Sequence, residues 1–252
     1  MRSKFAAQLF TLRDELEKDY FGTLRKVREM GWQAVQISGL FGNNPADIAK
    51  VLQETGLLTA GIHVGLAELK NQLDEVVKRA DLFGTKDIVV PYFPADQQHE
   101  QGYRQLRSDL NNIARMLESK GYRISYHNHA FEFNTMIDGE SALEYILEPV
   151  PGNRVFAEID VYWVKRGGRD PLSFIQPYAN RMPIIHLKDM SDDGKQSTVE
   201  VGTGQIDFIP ILRWGEQNGI EWYAVEQDQC QRDPLDCLAT SLENLNAMVE
   251  KL

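Results

Sequence analysis

The sequence predicts one α/β domain of the (β/α)8 barrel class, and three observations predict it. Short β-branched or aromatic runs alternate with longer segments of helical period eight times along the chain, the pattern of βα units around a parallel sheet. The length of 252 residues is what such a barrel uses as a single domain. No linker, low-complexity stretch or break in composition interrupts residues 1–252, so one domain over that whole range is expected. A doubly wound sheet also alternates, but no glycine-rich turn follows the first strand here.

Taken in order, "KFAAQLF" is the first strand and "YFGTLRKVREMG" its helix, stopped by Gly31 as a C-terminal cap. "AVQIS" is the second strand, and Asn44-Pro45 opens the helix "ADIAKVLQETG". "LTAGIHV" precedes the helix "LAELKNQLDEVVKRADLFG", and "DIVVPYF" precedes "YRQLRSDLNNIARMLESKG". The fifth strand is "YRISYHNH", followed by a helix in "GESALEYILEPV". "RVFAEID" is the sixth, with Asp170-Pro171 opening "LSFIQPYANR". "MPIIHLKD" and "DFIPILRWGEQNG" form the seventh unit, "EWYAVEQD" and "PLDCLATSLENLNAMVEKL" the eighth.

The composition is that of a soluble globular chain, 42% hydrophobic and 25% charged. With 27 Lys+Arg against 37 Asp+Glu the formal net charge is -10, a field that repels a phosphate backbone, so no nucleic-acid partner is expected. No apolar run is long enough for a membrane span, and the opening "MRSKFAAQLFTLRDE" is too broken for a signal peptide. Cys230 and Cys237, seven apart, form neither a CxxC pair nor a disulfide framework, which fits a reducing, cytoplasmic setting.

A barrel makes a specific demand on the polar residues, because the loops after the strands build its site. His63 ends the third strand, His127 and His129 the fifth, and His186 lies in the seventh; only His99 falls in a loop. Glu132, Glu158, Asp160, Asp189 and Glu226 follow the same rule. Strand alternation sharpens it: Glu158 and Asp160 share one face, as do His186 and Lys188, and as do Ala224, Glu226 and Asp228. In "SYHNH", Ser125, His127 and His129 form one such set. Carboxylates and imidazoles converging on one mouth are ligands for one divalent cation, Mn²⁺, Mg²⁺, Co²⁺ or Zn²⁺, and proton-transfer groups beside it.

The motifs "YHNHAFEF", "EIDVYW" followed by "GGRDP", "IIHLKDM", "EVGTGQIDF" and "YAVEQD" resemble, in order, those of the xylose isomerase-like barrels. That group is often labelled sugar phosphate isomerases/epimerases and includes ketohexose 3-epimerases and inosose dehydratases. The resemblance implies one metal held by four residues of strands five to eight. Asp160, His186 and Glu226 carry over by motif; where the epimerases have a strand-end Glu, His127 stands here. Glu132 is the preferred fourth ligand because it restores the carboxylate count, with His127 the alternative. The epimerases often have a histidine where Trp163 stands, so the substrate contacts are expected to differ.

The function so implied is a metal-dependent isomerase or epimerase of a small sugar or keto-sugar. A C–H beside a ketone loses its proton to Glu132 or Glu226, with an enediolate as intermediate, and His127 or His129 returns one. Lys188 is assigned to a substrate oxygen or to an ion pair with Glu158. Gln8, His63, Glu158 and Trp163 are assigned to substrate binding. A lyase or dehydratase acting on a keto-sugar or inosose uses the same first step and is the alternative. An endonuclease IV-like nuclease needs more histidines and a basic face; a non-catalytic sugar-binding barrel is a further option. In "VGTGQIDF" the glycines form either a phosphate cradle or a turn that places Glu200 or Gln205 at a helix start. A homo-oligomer is compatible with all of these readings.

Overall fold

The computed structural model describes residues 1–252, and its centre is a closed barrel of eight parallel strands. The strands are β1 (Phe5–Gln8), β2 (Ala34–Ile37), β3 (Leu58–His63) and β4 (Asp87–Val90), then β5 (Arg123–His127), β6 (Phe156–Asp160), β7 (Ile184–Leu187) and β8 (Trp222–Val225). Each pairs with its neighbours in sequence, and β1 closes the ring on β8 through Phe5↔Tyr223, Ala6↔Ala224 and Ala7↔Val225. Helices follow the strands on the outside, the longest being Arg13–Glu29, Glu100–Glu118 and Pro234–Val249. No helix is long and apolar enough to cross a membrane.

Helix starts follow their local chemistry. Asn44 accepts the Ala46 N–H ahead of Pro45, and Asp170 and Asp233 do the same work ahead of Pro171 and Pro234. Gly56 ends its helix in the left-handed region (φ 69°), where a side chain is disfavoured.

Several boundaries differ from the sequence expectation. The first helix begins at Arg13, not residue 20, and is broken at Asp19 (φ −153°), whose carboxylate accepts the Gly22 N–H and restarts it. The expected helix over 66–84 is two, divided at Gln72 (φ −139°). A short helix Val161–Arg166 starts directly on Asp160, whose carboxylate accepts the N–H groups of Tyr162 and Trp163. The next helix is only Pro171–Ile175, with a 3-10 turn from Gln176 to Tyr178. His99 caps the helix Glu100–Glu118 through the Gly102 N–H. Finally, β5, β7 and β8 stop earlier than read, so His129, Lys188, Glu226 and Asp228 stand just past strand ends.

The main core, 61 buried residues, lies between barrel and helices. Inside the barrel the lower layers are small and apolar: Ala6, Ala34 and Ala60 pack together, as do Val89, Ile184 and Ala224, and Trp222 touches both groups. At the strand starts, Arg123 forms a two-pronged contact with Asp87 (2.7 and 2.6 Å) and reaches Glu221 (2.6 Å), tying β4 and β5 to the entry of β8. The imidazoles and the remaining inward carboxylates gather at the opposite end.

Candidate active site

The residue two positions above Ala6 is Gln8, and the one two above Ala34 is Gln36, so alternation turns both amides into the barrel. Gln8 Nε2 donates to Gln36 Oε1 (2.8 Å), and Gln36 Nε2 donates to Glu158 Oε2 (2.5 Å). The other oxygen of Glu158 faces three imidazoles: His63 Nε2 at 2.8 Å, His186 Nε2 at 3.0 Å and His127 Nδ1 at 3.2 Å. Gln8, Gln36, Glu158 and His186 are wholly buried.

One layer higher, Lys188 Nζ stands 2.9 Å from Asp160 Oδ2, 2.9 Å from Glu226 Oε2 and 3.1 Å from Asp228 Oδ2. His186 Nδ1 lies 3.1 Å from Glu226 Oε2, so this ring touches both layers. Above them opens a cavity of about 290 Å³, lined by His63, His127, His129, Lys188, Glu226 and Asp228 among others. Phe10 and Tyr92, 42% and 49% exposed, form part of its wall. Trp163 lies tilted against His129 (ring centroids 5.1 Å apart), and Lys188 Nζ sits 5.3 Å from the centre of the same indole.

Burial opposes charge throughout this site, and the neighbours decide which groups keep it. Burial is outweighed at His186, where Glu158 and Glu226 push the imidazole up to about 10. Lys188 is likewise raised, by Asp160, Glu226 and Asp228 against burial. Glu158 and Glu226 are held well below the usual carboxylate range despite burial, the first by His186 and His63, the second by Lys188 and His186. At Asp160 burial prevails over Lys188 and pushes the carboxyl up to about 6; Asp228 is raised for the same reason. Burial and then Lys188 bring His129 down to about 4, and burial with His186 holds His127 well below the usual imidazole range.

His127, Asp160, His186 and Glu226 present ligand atoms that all lie within 4.8 Å of one another. Two carboxylates and two imidazoles suit a divalent cation, and Asp160 Oδ2, though beside Lys188, makes no well-formed hydrogen bond. The group therefore fits such an ion, in competition with the Lys188 ammonium that lies against two of its carboxylates.

Glu132, preferred from sequence as the fourth ligand and as a base, is not in this group. β5 ends at His127, and the 3-10 turn Phe131–Asn134 carries Glu132 to the outer side of the strand. There it accepts from the Tyr126 hydroxyl (2.9 Å) and the His129 N–H (2.9 Å), and burial pushes it up to about 8. His127, the alternative, occupies the fifth-strand position instead. Two expected substrate contacts also lie too deep: the hydrogen bonds of Gln8 and Glu158 are made inside the barrel, and neither lines the cavity. Lys188 pairs with Asp160, Glu226 and Asp228, not with Glu158. His63, His129, Lys188 and Glu226 do reach the cavity, and Trp163 stands behind it.

Gln36 had no role in the sequence reading, although a lone amide in the apolar strand "AVQIS" was the signal for it. Asp228 was placed on the face of Glu226 but given no task. The glycines of "VGTGQIDF" do form an anion-binding loop, and its anion is Asp189: its carboxylate accepts the N–H groups of Met190, Gly202, Gly204 and Ile206 at 2.8–3.1 Å.

A family model described as "Xylose isomerase-like TIM barrel" matches residues 24–248. An inosose dehydratase of Clostridium beijerinckii is 27% identical over 148 residues, 52% of this chain and 49% of that one. The chain thus spans about half the length of the first curated relatives it matches. An inosose dehydratase of Geobacillus kaustophilus aligns more widely, 23% identical over 91% of this chain and 87% of its own. Among solved structures, a sugar phosphate isomerase/epimerase of Parabacteroides distasonis superposes with a TM-score of 0.80, at 24% identity, over 97% of this chain and 94% of that one.

Proposed function

The chain belongs to the xylose isomerase-like TIM barrel family, and on that premise we propose that it is a divalent-metal-dependent enzyme acting on a small keto-sugar or inosose. Its step is proton transfer at the carbon beside the ketone, and its net outcome is loss of water. The observation that carries this reading is the cavity itself. His129, past the end of β5, and the Lys188–Asp228 pair, past the ends of β7 and β8, line one space of about 290 Å³. Strands β5 and β8 stand three apart around the ring, so the two groups approach a bound ring from different sides.

His129 takes the α-proton and the C–H electron pair passes into an enolate; as the enolate collapses back to the ketone, its electrons form the C=C bond and the β C–O bond breaks. Asp228, whose carboxyl burial pushes upward, is the acid that gives a proton to the departing hydroxyl, which leaves as water. The Lys188 ammonium stabilises negative charge gathering on the ketone oxygen. His127, Asp160, His186 and Glu226 would hold the ion, which would supply Lewis-acid polarisation. Phe10 and Tyr92 offer apolar faces to the C–H side of a sugar ring. The filling of the glycine loop by Asp189 supports a substrate without phosphate. Both cysteines are free, in keeping with a reducing cytoplasmic setting.

The opposed placement of two proton-transfer groups also supports a second outcome. If the β-hydroxyl stays and a proton returns from the other side, the same machinery is an isomerase or epimerase. Incubation of the metal-loaded protein with inososes and ketohexoses in D₂O tests the shared step. Substrate-dependent deuterium uptake is expected, abolished by His129→Asn, and product mass separates dehydration from epimerisation. No uptake and no loss of water with any of these substrates would sink the proposal.

A further inference from the structure

We propose that the barrel holds a second metal position beneath the first, made of His63, His127, Glu158 and His186 and suited to Zn²⁺ or a cation of like chemistry. The four come from β3, β5, β6 and β7, and their ligand atoms also lie within 4.8 Å of one another. Three ring nitrogens converge on the single oxygen Glu158 Oε1, at 2.8, 3.0 and 3.2 Å. Hydrogen bonding serves two of them, His63 Nε2 with Glu158 (2.8 Å) and His186 Nε2 with Gln36 Oε1 (2.7 Å), but not the third. His127, 3% exposed, brings Nδ1 to 3.2 Å from that oxygen and yet makes no hydrogen bond there. A metal ion between the four groups gives His127 Nδ1 the partner it lacks.

The spacing agrees with such an ion. Ligands about 2.0 Å from a tetrahedral Zn²⁺ stand about 3.3 Å apart, close to the separations that the three nitrogens keep from Glu158. The outer shell is also in place. Gln36 holds Glu158 Oε2 at 2.5 Å and is itself held by Gln8, which leaves Oε1 as a single fixed donor. A fully buried carboxylate, with three imidazoles and a supporting amide pair, is the donor set of a zinc-type centre. The upper group, with its two carboxylates, suits harder cations better.

The two positions differ in what already occupies them. Lys188 lies against Asp160, Glu226 and Asp228 and touches none of the lower four, so an ion in the lower position displaces no ammonium. They also share His127 and His186. His186 offers Nδ1 towards Glu226 and Nε2 towards Glu158, so zinc below competes with a harder ion above for the same rings.

The test loads the full-length protein with zinc chloride and counts imidazole ligands by X-ray absorption, with zinc affinity measured by competition against a chelator. Three imidazoles are expected in the wild type. His63→Gln is expected to bring the count to two and weaken zinc by about tenfold or more, within the usual range for loss of a ligand or its support. Asp160→Asn is expected to leave the zinc count at three. Two imidazoles in the wild type, or zinc lost with Asp160→Asn and kept with His63→Gln, overturns the lower position, as does a wild type that binds no zinc. The wild-type count decides the matter even if a variant fails to fold. Failure of the lower position leaves the proposed reaction standing, since that rests on the cavity groups and the upper cation position.

Discussion

Glu132 is the carboxyl whose surroundings differ most from what its position in the chain suggests. Alternation through "SYHNHAFEF" makes it look like a strand-end ligand, but alternation holds only as far as the strand, and β5 stops at His127. Asp160, His186 and Glu226 were legible as members of the group that fits a cation because each sits on or next to a strand with an unambiguous face; that Glu132 stands apart from them follows from a turn that no periodicity describes. The burial of Glu132 has a measurable result. Its pKa stands at about 8 in the folded chain against 4.5 for an unperturbed Glu, so between those values the folded state holds the extra proton. The stability it contributes is complete below the lower value and is lost as pH rises through the upper one. In urea titrations from about pH 5 to about pH 9 the wild type should lose stability more steeply than Glu132→Gln, whose amide cannot titrate. Parallel profiles for the two proteins would mean that Glu132 is ionised throughout.

At the scale of elements, the strands and the Asn-Pro and Asp-Pro helix starts were readable because their causes are local. The breaks at Asp19 and Gln72 were not, since both lie inside segments whose apolar period runs on past them. Nor was the short helix after β6: Asp160 is at once the last residue of a strand, a helix cap and a member of the cation-binding group. The loop from Glu200 to Asp207 shows the same economy. It has no strand or helix of its own in its glycine stretch, and Asp189 holds it through three of its N–H groups. Asp189→Ala should therefore speed hydrogen exchange at Gly202, Gly204 and Ile206 and cost about 1–3 kcal/mol. Gly204→Ala should act in the same direction, because its added methyl meets the Met190 carbonyl and the Asp189 carboxylate. Unchanged exchange in Asp189→Ala would show that the loop is held by its packing alone.

Over the whole molecule the two ends of the barrel divide the work. The mouth gathers the reactive groups, and the floor is tied by Arg123, whose partner Asp87 is 2% exposed. Arg123→Met should destabilise the protein by about 3–5 kcal/mol, since it strands a buried carboxylate. Glu221→Gln should cost about 1 kcal/mol or less, its side chain being 41% exposed. Equal losses in thermal or urea unfolding would show that the floor is not organised around Asp87. The ring closure through β1 and β8 has a consequence in time as well as in space. A chain leaving the ribosome carries β1 with one bare edge until residues 222–225 have been made, and each strand added in between moves the other bare edge along. Those two rows of unpaired amides are open to any neighbouring nascent chain at the same stage. Crowded synthesis thus sets its hazard by the delay before the last strand arrives, and a slower polysome lengthens it.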